Sequence, residues 1–255
     1  MPKLAANLTM MFNEVPFLDR FAAAKQAGFD AVEFLSPYDH PKDTVAKAAK
    51  DAGVQVVLHN AAMGNWGAGE RGIAALPGRE AETAAAIDQG LEYAKALGCP
   101  RLHVMCGFAR DGANTETLVA NLKAAAAKAA PLGVKLLLEP LNTTDMPGIW
   151  MNDIDQALGI IETVGPDKVG LQFDVYHRQV QRGDVARKFT AVLPHISHVQ
   201  IADHPGRNEP GTGEINYAFL FGHIDASGYR GWVGCEYKPA GETVAGLAWR
   251  AKLSV

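Results

Sequence analysis

An apolar run that stops on a carboxylate constrains this chain more than any other feature. Val169 to His177 reads VGLQFDVYH, strand-like up to Phe173 and then Asp174. Three other runs are built alike. VKLLLE (134–139) ends on Glu139, WVGCE (232–236) ends on Glu236, and HISHVQIAD (195–203) carries Gln200 near its end. In a parallel (β/α) barrel the C-terminal strand ends build the active site. Four successive strands would then deliver Glu139, Asp174, Gln200 and Glu236 to one rim. Three carboxylates and an amide oxygen are hard donors, suited to one divalent metal ion, Mg2+ or Mn2+.

Side-chain parity supports that reading. Residues two apart on a strand share a face. With the four site residues inward, Leu136, Leu138, Leu171, Phe173, Val199, Ile201, Val233 and Cys235 all point outward, where a helix layer must cover them. A single acid at a strand end is explained by a turn. Four with matching parity are better explained by a site.

The rest of the chain alternates strand-like and helical runs, the βα pattern. Strands are expected at 4–8, 31–35 (with Glu33 a further inward acid), 54–59 and 102–106. Helices are expected at 15–27, 41–52, 80–97, 115–130, 152–164, 185–193 and 217–226, and the stretch from Thr243 closes the ring. Eight such units in 255 residues match the roughly 250 of one complete barrel, so residues 1–255 read as a single-domain α/β (β/α)8 TIM barrel. The long loops follow strands. NAAMGNWGAGERGIAALPGR (60–79) is long and Gly-rich, as active-site lids are. PLNTTDMPG (140–148) and ADHPGRNEPGTGEIN (202–216) lie on the same rim.

Composition bounds the partners. A net charge of -4 with no basic cluster argues against nucleic acid. No apolar run is long enough to span a bilayer, and MPKLAANLTMMF lacks the layout of a secretory leader. Cys99, Cys106 and Cys235 are odd in number and lack metal-type spacing, which suits reduced thiols in a cytoplasmic protein. Three carboxylates over-neutralise a divalent ion, so a small anionic substrate needs a cation on the rim. Arg207 is placed for that, with Lys238 assisting; the rival reading of Arg207 is a loop salt bridge with Glu209. His59 and Glu70 approach from the lid side, although His59 could simply cap its strand and Glu70 pair with Arg71. His103, His195 and His223 read as structural.

Five segments carry a family resemblance: NWGAGERGIAALPGRE (65–80), EPLNTTDMPG (139–148), LQFDVYH (171–177), HVQIADHPGRNEPGTGEINY (198–217) and GWVGCEYKP (231–239). Together they resemble the hydroxypyruvate isomerase family of the xylose-isomerase-like sugar isomerase/epimerase superfamily. Asn65 departs from the pattern, which has Asp there. The resemblance implies that Glu139, Asp174, Gln200 and Glu236 bind one divalent metal ion. It implies that Glu139 and Glu236 are the catalytic acid/base pair, and that His177 and Arg207 contact substrate. Gln200 stands where ketose 3-epimerases more often have His, which leans toward oxo-acid isomerases. The implied reaction interconverts hydroxypyruvate and tartronate semialdehyde through an enediolate. The alternatives are a 2-oxo-tetronate isomerase or a ketose 3-epimerase. A metal-dependent endonuclease of the same superfamily would require several His ligands and a basic face. A non-catalytic barrel would not require facing glutamates. A homo-oligomer is left open.

Overall fold

The computed structural model describes residues 2–253. Eight parallel strands close into a barrel in chain order. They are β1 (Lys3–Asn7), β2 (Ala31–Phe34), β3 (Gln55–Asn60), β4 (Arg101–His103), β5 (Lys135–Leu138), β6 (Val169–Asp174), β7 (Ile196–Ile201) and β8 (Trp232–Cys235). β8 pairs with β1, which leaves no open sheet edge. Around them run α1 (Arg20–Gln26), α2 (Lys42–Ala52), α3 (Glu80–Leu97), α4 (Thr115–Ala129), α5 (Ile154–Val164), α6 (Val175–Arg182), α7 (Val185–Val192), α8 (Tyr217–Ala226), α9 (Thr243–Gly246) and α10 (Trp249–Lys252). Among the described residues no helix is long and apolar enough to cross a membrane.

The core lies between strands and helices, as the parity argument requires. All eight outward residues named above are buried in one hydrophobic cluster with the helix faces. Phe173 meets Phe189 of α7 edge-on at 5.3 Å, and Phe34 meets Phe21 of α1 at 5.9 Å. Such edge-on pairs add about 0.5–1.5 kcal/mol beyond area burial, so they fix helix position as well as stability. The barrel interior is small and apolar toward its base, where Ala5, Ala31 and Val57 cluster. Arg101 crosses that base, donating from Nε to the Ser197 carbonyl at 2.7 Å and from Nη1 to the Val57 carbonyl at 3.3 Å.

Some elements differ from expectation. The first helix starts late, because a 3-10 turn (Phe17–Asp19) follows Pro16. β4 is three residues long. The closing stretch breaks into α9 and α10. α6 was not legible as a helix; it springs directly from Asp174, which is both the last residue of β6 and the helix N-cap.

The long loop after β3 is two things rather than one. Residues 64–68 form an exposed turn containing a short 3-10 segment (Trp66–Ala68). Residues 72–76 are buried and tied down. Ala74 and Ala75 donate backbone N–H groups to the Met105 and Cys106 carbonyls at 3.2 and 3.0 Å. Gly72 permits this approach: its φ is +93°, and a Cβ there would lie 2.3 Å from the Met105 backbone. Isolated antiparallel bridges Gly72–Cys106 and Phe108–Ile149 join the loops after β3, β4 and β5.

Candidate active site

At the C-terminal mouth, Glu139, Asp174, His177 and Glu236 each present an oxygen or nitrogen within 4.8 Å of the others. The four are only 2–6% exposed. Glu139 and Glu236 stand one residue beyond β5 and β8, and Asp174 ends β6. Asp174 divides its oxygens. Oδ1 caps α6 by accepting from the Tyr176 and His177 amides at 2.7 and 3.2 Å. Oδ2 faces the cluster, 3.8 Å from His177 Nε2. The helix that was not foreseen therefore aims both Asp174 and His177.

Arg207 lies over these groups. Its Nη2 is 2.5 Å from Glu236 Oε2, 3.9 Å from Asp174 Oδ2 and 3.5 Å from His177 Nε2. Its guanidinium stacks 5.1 Å from the Tyr176 ring centre. The rival pairing with Glu209 does not occur. Glu209 instead accepts from the Ala240 amide at 3.1 Å, joining the loops after β7 and β8. Arg207 takes a left-handed backbone conformation, φ 53°. The loop is held in shape by Asp203, which sequence reasoning missed. Its two carboxylate oxygens accept four backbone N–H bonds, from His204, Gly211, Gly213 and Ile215, at 2.8–3.0 Å. An Asp opening a Pro/Gly-rich stretch is the available sequence signal.

Electrostatics follow from burial. Burial, then Glu236 and Asp174, push Glu139 well above the usual carboxylate range. Burial lifts Glu236 to about 8 against the opposing pull of Arg207. Asp174 is raised by burial, and Arg207 and the two capping amides hold it back. Burial alone would lower Arg207, but Glu236, Asp174 and Glu139 together raise it above its ordinary value. Burial, then Arg207 and His103, keep His177 well below the ordinary histidine range.

The tautomer of neutral His177 can be read from its partners. Asn142 Oδ1 accepts from the Thr144 and Asp145 amides at 3.1 and 2.8 Å, so its Nδ2 must be the end facing His177 Nδ1 at 2.7 Å. The Asn142 backbone N–H donates to the same nitrogen at 3.1 Å. Nδ1 is therefore the acceptor and Nε2 carries the proton. An Nε2–H facing the cluster is a hydrogen-bond donor and a poor metal ligand. Asn142 is a second residue that sequence reasoning missed.

The structure brings Gln200 alongside Asp174 in register. Its Oε1 accepts from Gln172 Nε2 at 2.6 Å and its Nε2 donates to Glu33 Oε1 at 2.8 Å. His103, read as structural, lies with Nδ1 3.8 Å from Glu139 Oε2. Burial lowers its pKa to about 3.

Three other expected site residues are not brought to the cluster. His59 shares the outer face of the sheet with Phe34, its register partner and stacking neighbour at 6.1 Å. Burial there lowers its pKa to about 4. A one-residue slip of β3 against β2, where Val32 pairs with Val56 but Glu33 pairs with Leu58, breaks the alternation after Val57 and sends His59 under the helices with Phe34. Glu70 pairs with Arg79 at 2.8 Å rather than with Arg71, and accepts from the Asn65 amide at 2.5 Å, clasping the exposed turn. Arg71 stacks 3.6 Å over the Trp66 ring. Lys238 is exposed, and its backbone N–H donates to the Arg207 carbonyl at 2.8 Å. It supports the arginine through its main chain.

The donor chemistry fits a divalent cation. Glu139 Oε1 and Asp174 Oδ2 are buried oxygens that no donor reaches, beside a third carboxylate. Such oxygens are costly to bury unless a cation or hydrogen bond meets them.

Known proteins resemble this chain over nearly its whole length. The family model described as xylose isomerase-like TIM barrel matches residues 21–253. The chain is 49% identical to a 2-oxo-tetronate isomerase of Cupriavidus necator, over 98% of this chain and 97% of that one. It is 44% identical to the hydroxypyruvate isomerase of Escherichia coli, over 98% of each. A Brucella melitensis crystal structure described as an AP endonuclease, family 2, superposes with a TM-score of 0.95 at 48% identity, covering 99% of both chains.

Proposed function

The chain belongs to the xylose isomerase-like TIM barrel family, and from that premise we propose that it isomerises a short 3-hydroxy-2-oxo acid, moving one proton between adjacent carbons. The first substrate in this reading is hydroxypyruvate, giving tartronate semialdehyde. The observation that carries it is the set of unsatisfied groups in the buried cluster. Beside the two carboxylate oxygens lies Arg207 Nε, buried and without an acceptor. Acceptors for a cation and a free guanidinium N–H side by side suit an anionic oxygen-rich substrate.

Glu139, Asp174, Gln200 and Glu236 would hold one divalent ion, Mg2+ or Mn2+. When bound, the ion supplies Lewis acidity to substrate oxygens. The rest falls to the chain. Burial and neighbouring carboxylates raise Glu139 and Glu236 in the ion-free site, and either carboxyl group can take or give a proton. Glu139 keeps Oε1 unpaired, whereas Glu236 is engaged by Arg207 and by Asn7 Nδ2 at 3.3 Å. We therefore assign removal of the C3 proton to Glu139, which ends protonated, and delivery of a different proton to C2 to Glu236, which enters protonated. The C3 hydroxyl proton passes to the C2 oxygen as the carbonyl shifts, and exchange with solvent resets the two carboxyl groups. The Nε2–H of His177 donates to the oxygen that gains charge as the enediolate forms. Arg207 would grip the substrate carboxylate, and closure of the exposed turn that carries Trp66, with Arg71 stacked on its ring, would exclude water.

A second reading keeps the chemistry and lengthens the acid by one carbon. The 49% and 47% identical relatives are both named 2-oxo-tetronate isomerase, which favours it over the ketose alternative. Phosphodiester cleavage is disfavoured because the chain carries a net charge of -4 with no basic cluster to hold a nucleic-acid backbone. The buried free thiols of Cys99, Cys106 and Cys235 suit a cytoplasmic setting. Proton NMR in D2O with Mn2+-free, Mg2+-loaded enzyme and hydroxypyruvate, 2-oxo-tetronate or a ketohexose tests the assignment. Deuterium uptake and a shifted carbonyl position are expected for one of the acids. Exchange in the ketohexose alone would overturn the reading. Metal analysis should show bound ion in the wild type and its loss in Asp174→Ala.

A further inference from the structure

Beneath the cluster lies a buried carboxylate that the proposed chemistry does not use. Glu33, on β2, is fully buried. Its Oε1 accepts from Asn7 Nδ2 at 3.0 Å and from Gln200 Nε2 at 2.8 Å. Its Oε2 is 2.6 Å from His198 Nε2. A methyl in place of the Gly234 hydrogen would lie 2.2 Å from Glu33 Oε2, so β8 leaves this space to the carboxylate.

The directions of these bonds have a consequence. Asn7 cannot turn over, because its Oδ1 accepts from the Thr9 and Met10 amides at 3.1 and 3.2 Å. Its Nδ2 must therefore face Glu33, and the same nitrogen reaches Glu236 Oε1 at 3.3 Å. Gln200 has no such backbone anchor. A carboxylate only accepts, so Glu33 holds the NH2 end of Gln200 and leaves its Oε1 facing Gln172 Nε2 at 2.6 Å. A reversed amide would set oxygen against oxygen at Glu33 and present NH2 where an ion's ligand is required.

We infer that Glu33 is a positioning residue that gives Gln200 its oxygen-ligand orientation and, through Asn7, steadies Glu236. This rests on the metal reading above. Partners that orient a metal's ligands are commonly worth 10- to 100-fold in metal affinity.

The test is Mn2+ binding to full-length protein, measured by isothermal titration with circular dichroism as a check on folding. Glu33→Gln should weaken Mn2+ binding about 10-fold or more. Gln200→Ala should weaken it as well. Glu33→Gln added to Gln200→Ala should then cost little more, because Glu33 acts largely through that amide. Glu33→Asp keeps the charge but shortens the reach, and it too should bind Mn2+ more weakly. Wild-type affinity in folded Glu33→Gln or Glu33→Asp would overturn the inference, as would fully additive losses. Failure of both variants to fold would overturn it in favour of a purely structural role. If Mn2+ binding survives Asp174→Ala unchanged, the metal reading itself fails and takes this inference with it. If Asp174→Ala abolishes binding while the Glu33 variants match wild type, only the inference falls.

Discussion

Arg207 is a counter-charge with one hand free. Its Nη2 neutralises Glu236, and its buried Nε has no acceptor. A guanidinium can serve both a protein carboxylate and a substrate carboxylate, whereas an ammonium offers a single point of charge. Arg207→Lys is expected to lower kcat/KM for the oxo acid by about 1.5–3 kcal/mol, the range for a charged hydrogen bond. Turnover of any neutral ketose the enzyme accepts should fall much less, so steady-state kinetics would show a changed ratio of specificity constants. An unchanged ratio would make Arg207 a structural residue. At this scale the sequence was informative where chemistry and parity agree, as for Glu139, Asp174 and Glu236. It was uninformative where a role depends on which way an amide or a ring is turned. Nothing in the letters for Asn142 says that it fixes a tautomer, and the Asp that opens the Pro/Gly-rich stretch at 203 signals a turn without saying that it gathers four backbone amides. His59 was misplaced because β3 slips by one residue against β2, which plain alternation in the sequence does not show.

At the scale of elements, the strands were legible because outward apolar residues alternate with inward polar ones, a period set by the backbone. The helix after Asp174 was hidden because VYHRQVQR carries few apolar residues. It is specified by its cap and by the barrel it leans on. The loop after β3 also looked uniform in sequence, and only contacts separate its exposed part from its anchored part. Hydrogen exchange should show that division. Residues 72–76 are already bonded to the next loop and should be protected in the free protein. The exposed turn at 64–68 should exchange quickly and slow when substrate or an inert analogue binds. Equal protection throughout, with or without ligand, would remove the turn from the reaction.

The whole molecule carries its site at a cost that pH reveals. In metal-free protein, Glu236 is raised to about 8. Stability tied to a raised carboxyl group is fully present below its ordinary range and is lost as pH rises through the folded value. His59 and His103 act in the opposite sense. They are depressed to about 4 and about 3, so their contribution is present above the ordinary histidine pKa and is lost as pH falls from about 6.5. Tm in the presence of a chelator should therefore peak near neutrality and fall by about 5 °C or more toward pH 8.5, at about 2–4 °C per kcal/mol for a chain of this size. Mn2+ should lift Tm more at pH 8.5 than at pH 6. A flat profile, or equal lifting, would contradict the placement of the ion at these carboxylates. The bridges among the loops after β3, β4 and β5 bear on how such a barrel could be reshaped. They stitch three connections into one band, so a residue inserted into any of them strains the other two. The loop after β7 closes on its own Asp203 and is tied to the loop after β8 through Glu209 and the Arg207 carbonyl, so an insertion there would be shared with that neighbour and not with the band. Room for a longer acid is thus most readily made on the side of the mouth that holds Arg207, where changing the reach of the grip need not disturb the opposite wall.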